Sequence, residues 1–233
     1  MNKISIIIPV YNEEKTVEMV VNSVFAVKIP NYEKEIIIVN DASTDNTSRL
    51  LKKLKIKHKK LIILNHKINS GKGSAILTAS RAVTGKIVVI QDADLEYDPQ
   101  DIPKLVKCYD AYPGSVVYGS RELKKNDYSY VSYLMGNKLL NFLTNLLYKV
   151  NISDMETCYK LLPAEIFRKL DLKSNSFDIE PEITAKVGLM GLKIREVPIN
   201  YRPRSKKEGK KIRWIDGVIA LKVLFLLRFF RRI

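Results

Sequence analysis

Cysteine and histidine are scarce in this chain, which has only two of each among its 233 residues. Cys108 and Cys158 cannot build a disulfide framework, and neither has the spacing of a metal ligand. Both are predicted to be reduced thiols that are buried for packing. His58 and His66 lie apart from each other and from the cysteines, so we interpret them as ordinary surface or strand residues. Histidine-based catalysis is therefore not expected.

Long uninterrupted apolar runs are missing as well. The first apolar run, 4–11, is soon followed by Glu13 and is too short for a signal peptide. The last, 214–233, contains charged residues such as Lys222 and Arg228, so it falls short of the ~18 clean apolar residues of a transmembrane helix. Basic and aromatic residues mixed with aliphatic ones favour a helix that lies in a membrane interface. A helix docked on the domain is the alternative.

Acidic residues are outnumbered, with 25 Asp and Glu against 40 Lys and Arg, for a formal net charge of +15. This excess points to an anionic partner, which can be nucleic acid, an acidic membrane face or a phosphorylated substrate. The basic block at 51–60 is interpreted as a solvated face. The block at 202–213 directly precedes the apolar C-terminal segment, which favours a membrane surface. Since the sequence has no helix-turn-helix, RNA-recognition or zinc pattern, no nucleic-acid partner is expected.

The chain does have a series of short Ile- and Val-rich runs separated by helical patterns. These runs lie at 4–11, 35–41, 61–66, 86–94, 115–120 and 193–201. Near-continuous apolar strands that alternate with helices predict an α/β fold with a mostly parallel sheet and helices on both faces. We expect residues 1–213 to form this domain and 214–233 to form the C-terminal amphipathic helix.

A further amphipathic helix is predicted at 133–150. Its apolar positions recur at helical spacing, and Asn137, Asn141, Thr144 and Asn145 lie on the opposite side. Two interpretations remain open. The apolar stripe packs into the core, or it lies in a membrane interface.

Polar residues collect where the predicted strands end. Ligands bind outside the carboxyl ends of the strands in such sheets, so these side chains are expected in one crevice. The strand ends carry Tyr11 and Glu13, Asp41 and Asp45, Asp92, Asp94 and Glu96, and Arg121. Helix capping is an alternative explanation for Asp45 and Asp98, and Asp98 with Pro99 is predicted to open a helix.

Asp92, Ala93 and Asp94 form a D-x-D unit directly after an apolar strand. On an extended backbone Asp92, Asp94 and Glu96 would face the same way. Clustered carboxylates repel one another unless a cation lies among them. Mg²⁺ or Mn²⁺ takes one or two carboxylates and completes its coordination with phosphate oxygens and water.

Eight short motifs occur along the chain in a characteristic order. They are PVYNEE (9–14), VNDASTD (39–45), NSGKGSA (69–75), QDADLEYDP (91–99), YGSRE (118–122), SDMETCYK (153–160), FDIEPE (177–182) and EVPINYRPR (196–204). From about residue 4 to 213 the chain resembles the family 2 glycosyltransferases, which have the Rossmann-like GT-A fold. Within that family it is similar to the dolichol-phosphate mannose synthases and polyprenyl-phosphate glucosyltransferases.

The resemblance implies roles for residues that match the motifs. Those implied to bind the nucleotide-sugar are Pro9, Tyr11 and Glu13, Asp41 as reader of the base, Asp45 in the same motif, and Asp92 near the ribose and diphosphate. Those implied to act in transfer are Asp94 as metal ligand, Glu96 as second ligand in place of a frequent Gln, Arg121 on phosphate, Asp154 near the transfer site, and Arg204 with Lys211 or Lys210 closing over the phosphates. Lys72, between Gly71 and Gly73, is a candidate nucleotide contact, and a flexible helix start is the alternative.

The reaction implied by the resemblance is inverting transfer of a sugar, with mannose or glucose favoured, from a GDP- or UDP-linked donor. The acceptor would be a polyprenyl or dolichyl phosphate at the cytoplasmic face of a membrane, where the chain would sit as a peripheral protein. An ionised phosphate acceptor needs no general base, whereas an alcohol does. Asp154 is open to either a base or a positioning role. The alternatives are a saccharide or protein acceptor and, more remotely, a basic nucleic-acid-binding protein.

Overall fold

A computed structural model describes residues 2–126, 131–204, 211 and 214–230, without the side chains of 131–133. Its strands are β1 (Asn2–Val10), β2 (Tyr32–Asn40), β3 (Ile62–Asn65), β4 (Ile87–Ile90), β5 (Val116–Ser120), β6 (Lys160–Pro163) and β7 (Ile194–Pro198). Its helices are α1 (Val17–Ala26), α2 (Thr47–Lys57), α3 (Lys72–Ser80), α4 (Ile102–Ala111), α5 (Val131–Tyr148), α6 (Ala164–Lys169), α7 (Ile179–Leu189) and α8 (Trp214–Phe229). A single 3₁₀ turn, Pro99–Asp101, leads into α4.

The described strands form one sheet in the order β3-β2-β1-β4-β6-β5-β7. All neighbouring pairs are parallel except the two made by β6, which runs antiparallel between β4 and β5. The predicted α/β fold is therefore confirmed, and β6 is a strand that the apolar pattern did not reveal. Its sequence, Lys-Leu-Leu-Pro, has only two consecutive aliphatic residues between a lysine and a proline, so no Ile- or Val-rich run marks it.

Both faces of the sheet are buried. In β1, Ile4, Ile6 and Ile8 pack with α1 and α4 on one face, while Ile7 packs with α3 and α7 on the other. Because alternate residues of a strand point to opposite faces, a sheet covered on both sides requires the near-continuous isoleucine run that β1 has.

Helix α8 docks on the domain through one of its faces. Ala220, Leu224 and Leu227 are buried in a third apolar cluster with residues of α5 and α7. The Tyr148 hydroxyl donates a hydrogen bond to the backbone oxygen of Leu224 at 2.6 Å. Trp214, Val218, Phe225 and Phe229 lie on the remaining surface and are exposed.

Helix α5 is oriented with its polar side inward. Asn141 and Thr144 are buried, and Asn145 bonds the backbone of Ile152 through both its amide nitrogen and its oxygen. Of the two interpretations left open for the apolar stripe, packing into the core does not hold for its outermost residues, because Phe142 is 63% exposed. The inward polar side chains instead satisfy backbone groups of the segment that leads into β6.

Two exposed apolar stripes therefore flank the third cluster. We call them the apolar stripes; they comprise Met135, Leu139, Phe142 and Leu146 on α5, and Trp214, Val218, Phe225 and Phe229 on α8. No helix in the described ranges combines the length and the apolar character needed to span a bilayer.

Candidate functional site

A pocket of about 330 Å³ opens at the edge of the sheet where the parallel strands end. Four strand ends and a segment that follows β7 contribute to it, as expected from the strand-end pattern. The candidate residues that line it are Pro9, Tyr11, Glu13, Asp41, Lys72, Asp92, Asp94, Glu96, Arg121, Arg204 and Lys211. Two candidates, Asp45 and Asp154, do not line it.

The three acids of the D-x-D region reach the pocket through a turn. Strand β4 ends at Ile90, and Leu95 has a left-handed backbone with φ of 64°. The Asp94 carboxylate accepts a hydrogen bond from the backbone N–H of Glu96 at 3.0 Å, which closes the turn. The expectation of an extended backbone is therefore wrong, although Asp92, Asp94 and Glu96 do line one pocket.

Asp98 has the predicted capping role. Its carboxylate accepts a hydrogen bond from the backbone N–H of Gln100 at 2.9 Å, and Pro99 occupies the first position of the following turn. Asp45 acts in a similar way at α2, where it accepts from the backbone N–H of Thr47 at 2.9 Å and of Glu14 at 3.1 Å. These bonds account for the carboxylate of Asp45 outside the pocket.

Cations from the segment after β7 neutralise the acids of the pocket. The Arg204 guanidinium contacts Glu13 at 3.0 Å and Asp94 at 3.2 Å. The Lys211 ammonium lies 2.7 Å from Glu13. Lys210, the alternative to Lys211, lies outside the described residues. The structure thus joins the N-terminal strand ends to a segment about 190 residues away in sequence.

Glu96 anchors that segment. Its carboxylate accepts a hydrogen bond from the Tyr201 hydroxyl at 2.6 Å and another from the backbone N–H of Arg204 at 2.8 Å. The backbone oxygen of Glu96 accepts from the N–H of Arg202 at 2.9 Å. Both carboxylate oxygens are therefore engaged by the protein itself.

Asp94 is the acid best suited to a divalent cation. Burial and the neighbouring carboxylates of Asp92 and Glu96 together raise the pKa of Asp94 to about 7, against the opposing effect of Arg204. A cation beside the carboxylate would favour its ionised form. The described residues contain no ready-made group of three or more ligands. A Mg²⁺ or Mn²⁺ here would take Asp94 and complete its coordination with substrate phosphate oxygens and water.

Lys72 is paired with acids inside the pocket wall. Its ammonium lies 2.8 Å from Asp92 and 3.0 Å from Glu180, and Glu180 in turn pairs with the fully buried Lys160 at 2.5 Å. Sequence reasoning found Lys72 but missed its partner Glu180 and the pairing of Glu180 with Lys160. The alternation of acid and base along this chain of contacts holds α3 and α7 together at the pocket.

Gly71 and Gly73 are required by contacts within the protein. A Cβ on Gly73 would lie 2.2 Å from the backbone oxygen of Ser174, and one on Gly71 would lie 2.3 Å from that of Asn175. Gly71 also has φ of 94°, a conformation that glycine adopts without strain. The space that a side chain would need at these two positions is therefore occupied by the loop before α7.

Arg121 and Asp154 form a bidentate ion pair. The guanidinium donates to both carboxylate oxygens at 2.7 Å, and the backbone N–H of Arg121 donates to one of them at 2.9 Å. Arg121 lines the pocket and lies over the Tyr201 ring, whereas Asp154 is buried behind it. These contacts hold the Arg121 side chain in one orientation at the pocket wall.

Glu156 lines the same pocket and was not recognised in the sequence. Its Oε1 is buried and has no hydrogen-bond partner within the described structure. Burial raises the pKa of Glu156 to about 7, with Lys160 opposing the shift and Glu180 adding to it. Its position in the SDMETCYK motif could have identified Glu156 as a pocket residue, but a role in that motif was predicted from the sequence only for Asp154.

His66 has a defined partner, contrary to its interpretation as an ordinary residue. Its Nδ1 lies 2.6 Å from the Asp41 carboxylate and its Nε2 lies 2.8 Å from the Thr78 hydroxyl. Asp41 also accepts hydrogen bonds from the backbone N–H groups of Ser70 and Gly71 at 2.9 and 2.7 Å. Asp41 therefore holds the loop before α3 as one wall of the pocket.

A sheet of this order with an acidic pocket at its carboxyl edge matches the GT-A type of fold. The family model described as "Glycosyl transferase family 2" matches residues 5–171. The chain therefore belongs to glycosyl transferase family 2.

Relatives by sequence include a protein of unassigned function from Methanocaldococcus jannaschii, 30% identical over 97% of this chain and 91% of that protein. An undecaprenyl-phosphate 4-deoxy-4-formamido-L-arabinose transferase from Proteus mirabilis is 36% identical over 54% of this chain and 39% of its own length. A hexosyltransferase of low-salt glycan biosynthesis from Haloferax volcanii is 26% identical over 86% of this chain and 48% of its own length. The chain thus spans less than half of these two named transferases.

Solved structures with the same fold include glucosyl-3-phosphoglycerate synthase from Mycobacterium tuberculosis in complex with UDP. It superposes with a TM-score of 0.72 at 19% identity and covers 99% of this chain and 82% of that one. The same enzyme with Mn²⁺, UDP-glucose and phosphoglyceric acid gives a TM-score of 0.71. These likenesses confirm the GT-A fold.

Proposed function

We propose that this glycosyltransferase moves a sugar from a nucleoside-diphosphate donor to a polyprenyl or dolichyl phosphate at the cytoplasmic face of a membrane. The observation that carries the proposal is the charge arrangement of the pocket. Carboxylates from β1, β2 and β4 lie on one side, and Arg121, Arg204 and Lys211 supply cations around them. Such a site suits two phosphorylated substrates and a metal.

In the proposed mechanism, the donor nucleotide lies along the ends of β2 and β1, where Asp41, Tyr11 and Glu13 line the pocket. Asp94 would hold Mg²⁺ or Mn²⁺, which supplies charge compensation for the departing diphosphate. Arg204 and Lys211 now pair with Glu13 and Asp94, so they can exchange these acids for phosphate oxygens as the donor binds. Positive charge placed where negative charge develops lowers the barrier to transfer.

The acceptor phosphate would approach from the side of Arg121. Asp154 uses both oxygens on Arg121 and lies outside the pocket, so we assign it a positioning role. A lipid phosphate is largely ionised near neutral pH and can attack without a base, since its second pKa is near ~6.

The membrane part of the proposal rests on the apolar stripes. Exposed basic residues, including Lys138, Lys149, Lys222 and Arg228, lie among or beside them. Aromatic and aliphatic side chains with interspersed cations suit an anionic membrane surface. We propose that residues 1–213 form the transferase domain and that 214–233 hold it at the membrane with α5.

A donor panel tests the proposal. The purified chain is incubated with labelled GDP-mannose, UDP-glucose or UDP-GlcNAc, Mg²⁺ or Mn²⁺, and polyprenyl phosphate, and label in the lipid phase is counted. We expect one donor to label the lipid and expect EDTA or Asp94→Asn to reduce the rate by at least about a hundredfold. Label that reaches only soluble saccharide or protein acceptors would refute the lipid assignment, and an unchanged rate in EDTA would refute the metal assignment.

A further inference from the structure

Glu156 stands apart from the other acids of the pocket. Within the described part of the chain, each of the others has a cationic or histidine partner, as for Glu180 with Lys72 and Lys160. Glu156 has no ion pair there, and its buried Oε1 accepts no hydrogen bond. A buried polar oxygen without a partner costs free energy of about 1–3 kcal/mol, so its retention in a substrate pocket calls for a ligand.

The position of Glu156 along the sheet edge indicates which ligand group it meets. Strand β6 is antiparallel, so its N-terminal end shares an edge with the carboxyl ends of the parallel strands. Glu156 precedes β6 and therefore lies beyond the acids of β4, on the side of Arg121. Strands are about 4.8 Å apart, which separates the β2 end with Asp41 from the β6 end by roughly 14 Å.

A donor laid along this edge has its sugar beyond its diphosphate. With the base near β2 and the diphosphate near Asp94, the sugar falls at the β6 end, between the donor phosphates and Arg121. Ser176, Phe177 and Tyr97 line the pocket together with Glu156. Apolar rings with a few polar groups are the usual lining of a sugar site.

We propose that Glu156 hydrogen-bonds a hydroxyl group of the sugar that is transferred, and that it selects neutral sugars over uronates. This inference rests on the proposed function and adds a sugar-recognition residue to it. A hydroxyl can both donate and accept, so it satisfies the unpaired carboxyl oxygen. The carboxylate of a uronate would either repel Glu156 or have to share a proton with it, and both weaken binding near neutral pH.

The surroundings of Glu156 support a partly protonated side chain. Burial raises its pKa to about 7, so the acid form is well populated at neutral pH. Arg121 is the neighbouring cation in the pocket, and Asp154 engages its Nε and one terminal nitrogen at 2.7 Å. Glu156 can therefore donate as well as accept a hydrogen bond at the sugar.

Calorimetric titration with UDP, UDP-glucose, GDP and GDP-mannose tests the proposal. For the sugar nucleotide that the wild type binds, Glu156→Ala should raise Kd about tenfold or more, while Kd for the matching bare nucleotide stays within about twofold. Glu156→Gln should keep the neutral donor within about threefold, because the amide also donates and accepts. UDP-glucuronate and GDP-mannuronate should bind the wild type at least about tenfold more weakly than their neutral counterparts, and Glu156→Gln should narrow that difference.

Glu196→Gln is the matched structural control. Glu196 is a partly buried acid that accepts from the backbone N–H groups of Ser153 and Asp154, and it does not line the pocket. The Glu196→Gln substitution should lower Tm, and it should shift Kd for the sugar nucleotide and Kd for the bare nucleotide by the same factor.

Three results would overturn the inference. The first is that Glu156→Ala changes Kd for the sugar nucleotide and for the bare nucleotide equally, and the second is that it changes neither. The third is that Glu156→Gln abolishes turnover at unchanged donor Kd, which would indicate that Glu156 transfers a proton. If the wild type binds none of the four nucleotides, the proposed function fails as well. If the Glu156 results hold and no label reaches polyprenyl phosphate, only the acceptor assignment fails.

Discussion

Asp154 and Arg121 form a buried ion pair that bears on the role of Asp154. Asp154 is 1% exposed and gives both carboxylate oxygens to Arg121. Its motif left a base and a positioning role open, and we propose the second because Arg121 occupies both carboxylate oxygens. The arginine side chain is thereby held at the pocket wall in a fixed orientation.

Replacing Asp154 by Asn should destabilise the protein by about 3–5 kcal/mol, because Arg121 would keep a buried and unpaired charge. Differential scanning calorimetry measures the change, and Glu165→Gln, an exposed pair with Lys169, serves as the control with little effect. Residual transferase activity should show the same pH profile as the wild type. Loss of the acidic limb of that profile in Asp154→Asn would instead identify Asp154 as the general base.

Glu156 should make stability depend on pH. Its pKa is raised from 4.5 to about 7 in the folded protein, so the folded state holds this proton more tightly than the unfolded chain. The stability from this group is complete below its ordinary pKa and is lost as pH rises through about 7. Glu156→Gln does not titrate, so its Tm relative to the wild type should rise between pH 5 and pH 8, by an amount equivalent to roughly 1–3 kcal/mol. A Tm difference that is constant across this range would contradict the assigned pKa.

At the scale of elements, the start of α3 depends on its contact with the loop before α7. Gly73 packs so closely on Ser174 that a methyl group has no room. Lys72, the residue before it, pairs with Asp92 and with Glu180 of α7. The α3 start, the loop before α7 and the acids after β4 therefore act as one supporting unit of the pocket.

Gly73→Ala should lower the free energy of unfolding by about 1–3 kcal/mol, because the added Cβ overlaps backbone that cannot move without displacing α3. Gly136→Ala is the matched control at an exposed position of α5, where nothing lies within 4 Å of the new Cβ. That substitution should stabilise the helix by up to about 1 kcal/mol. Urea unfolding of both variants measures the contrast, and equal effects would show that the α3 contact is not tight.

The orientation of α5 also links packing to the site. Its buried polar side, with Asn141, Thr144 and Asn145, holds the segment that carries Asp154 and Glu156 to the pocket. The cost of this arrangement is an apolar stripe turned outward. An apolar stripe on the exposed side of a helix suits a protein surface that meets an apolar phase.

For the whole molecule, the +15 charge and the apolar stripes predict salt-sensitive membrane binding. The double variant Phe142→Ser, Phe229→Ser should reduce co-sedimentation with anionic vesicles by about tenfold or more at unchanged Tm, since both residues are 63% exposed. Met19→Ser, at an exposed position on α1, is the control and should bind like the wild type. Raising salt from 0.1 to 0.5 M should weaken binding of all three proteins. Equal vesicle binding by the double variant and the control would show that the apolar stripes do not mediate membrane binding.

The strand-end pattern and the acids of the pocket could be predicted because they depend on local rules. Apolar runs separated by helices predict a parallel sheet, and parallel strands bring their carboxyl ends to one edge. That reasoning placed Glu13, Asp41, Asp92 and Arg121 at one pocket, and it predicted the cap made by Asp98. Asp45 was not separated from the pocket residues, because a capping acid and a binding acid at a strand end look alike in sequence.

What the amino-acid sequence by itself determined is the α/β class, the site edge and the amphipathic character of the C-terminal helices, since each follows from periodicity and residue type. Only the tertiary structure decided which side of α5 faces inward, that β6 runs antiparallel, and that Arg204 meets Glu13 and Asp94. Periodicity shows that two faces differ without showing which of them meets the core. Ion pairs between residues 191 positions apart, and the unpaired oxygen of Glu156, exist only once the chain has closed on itself.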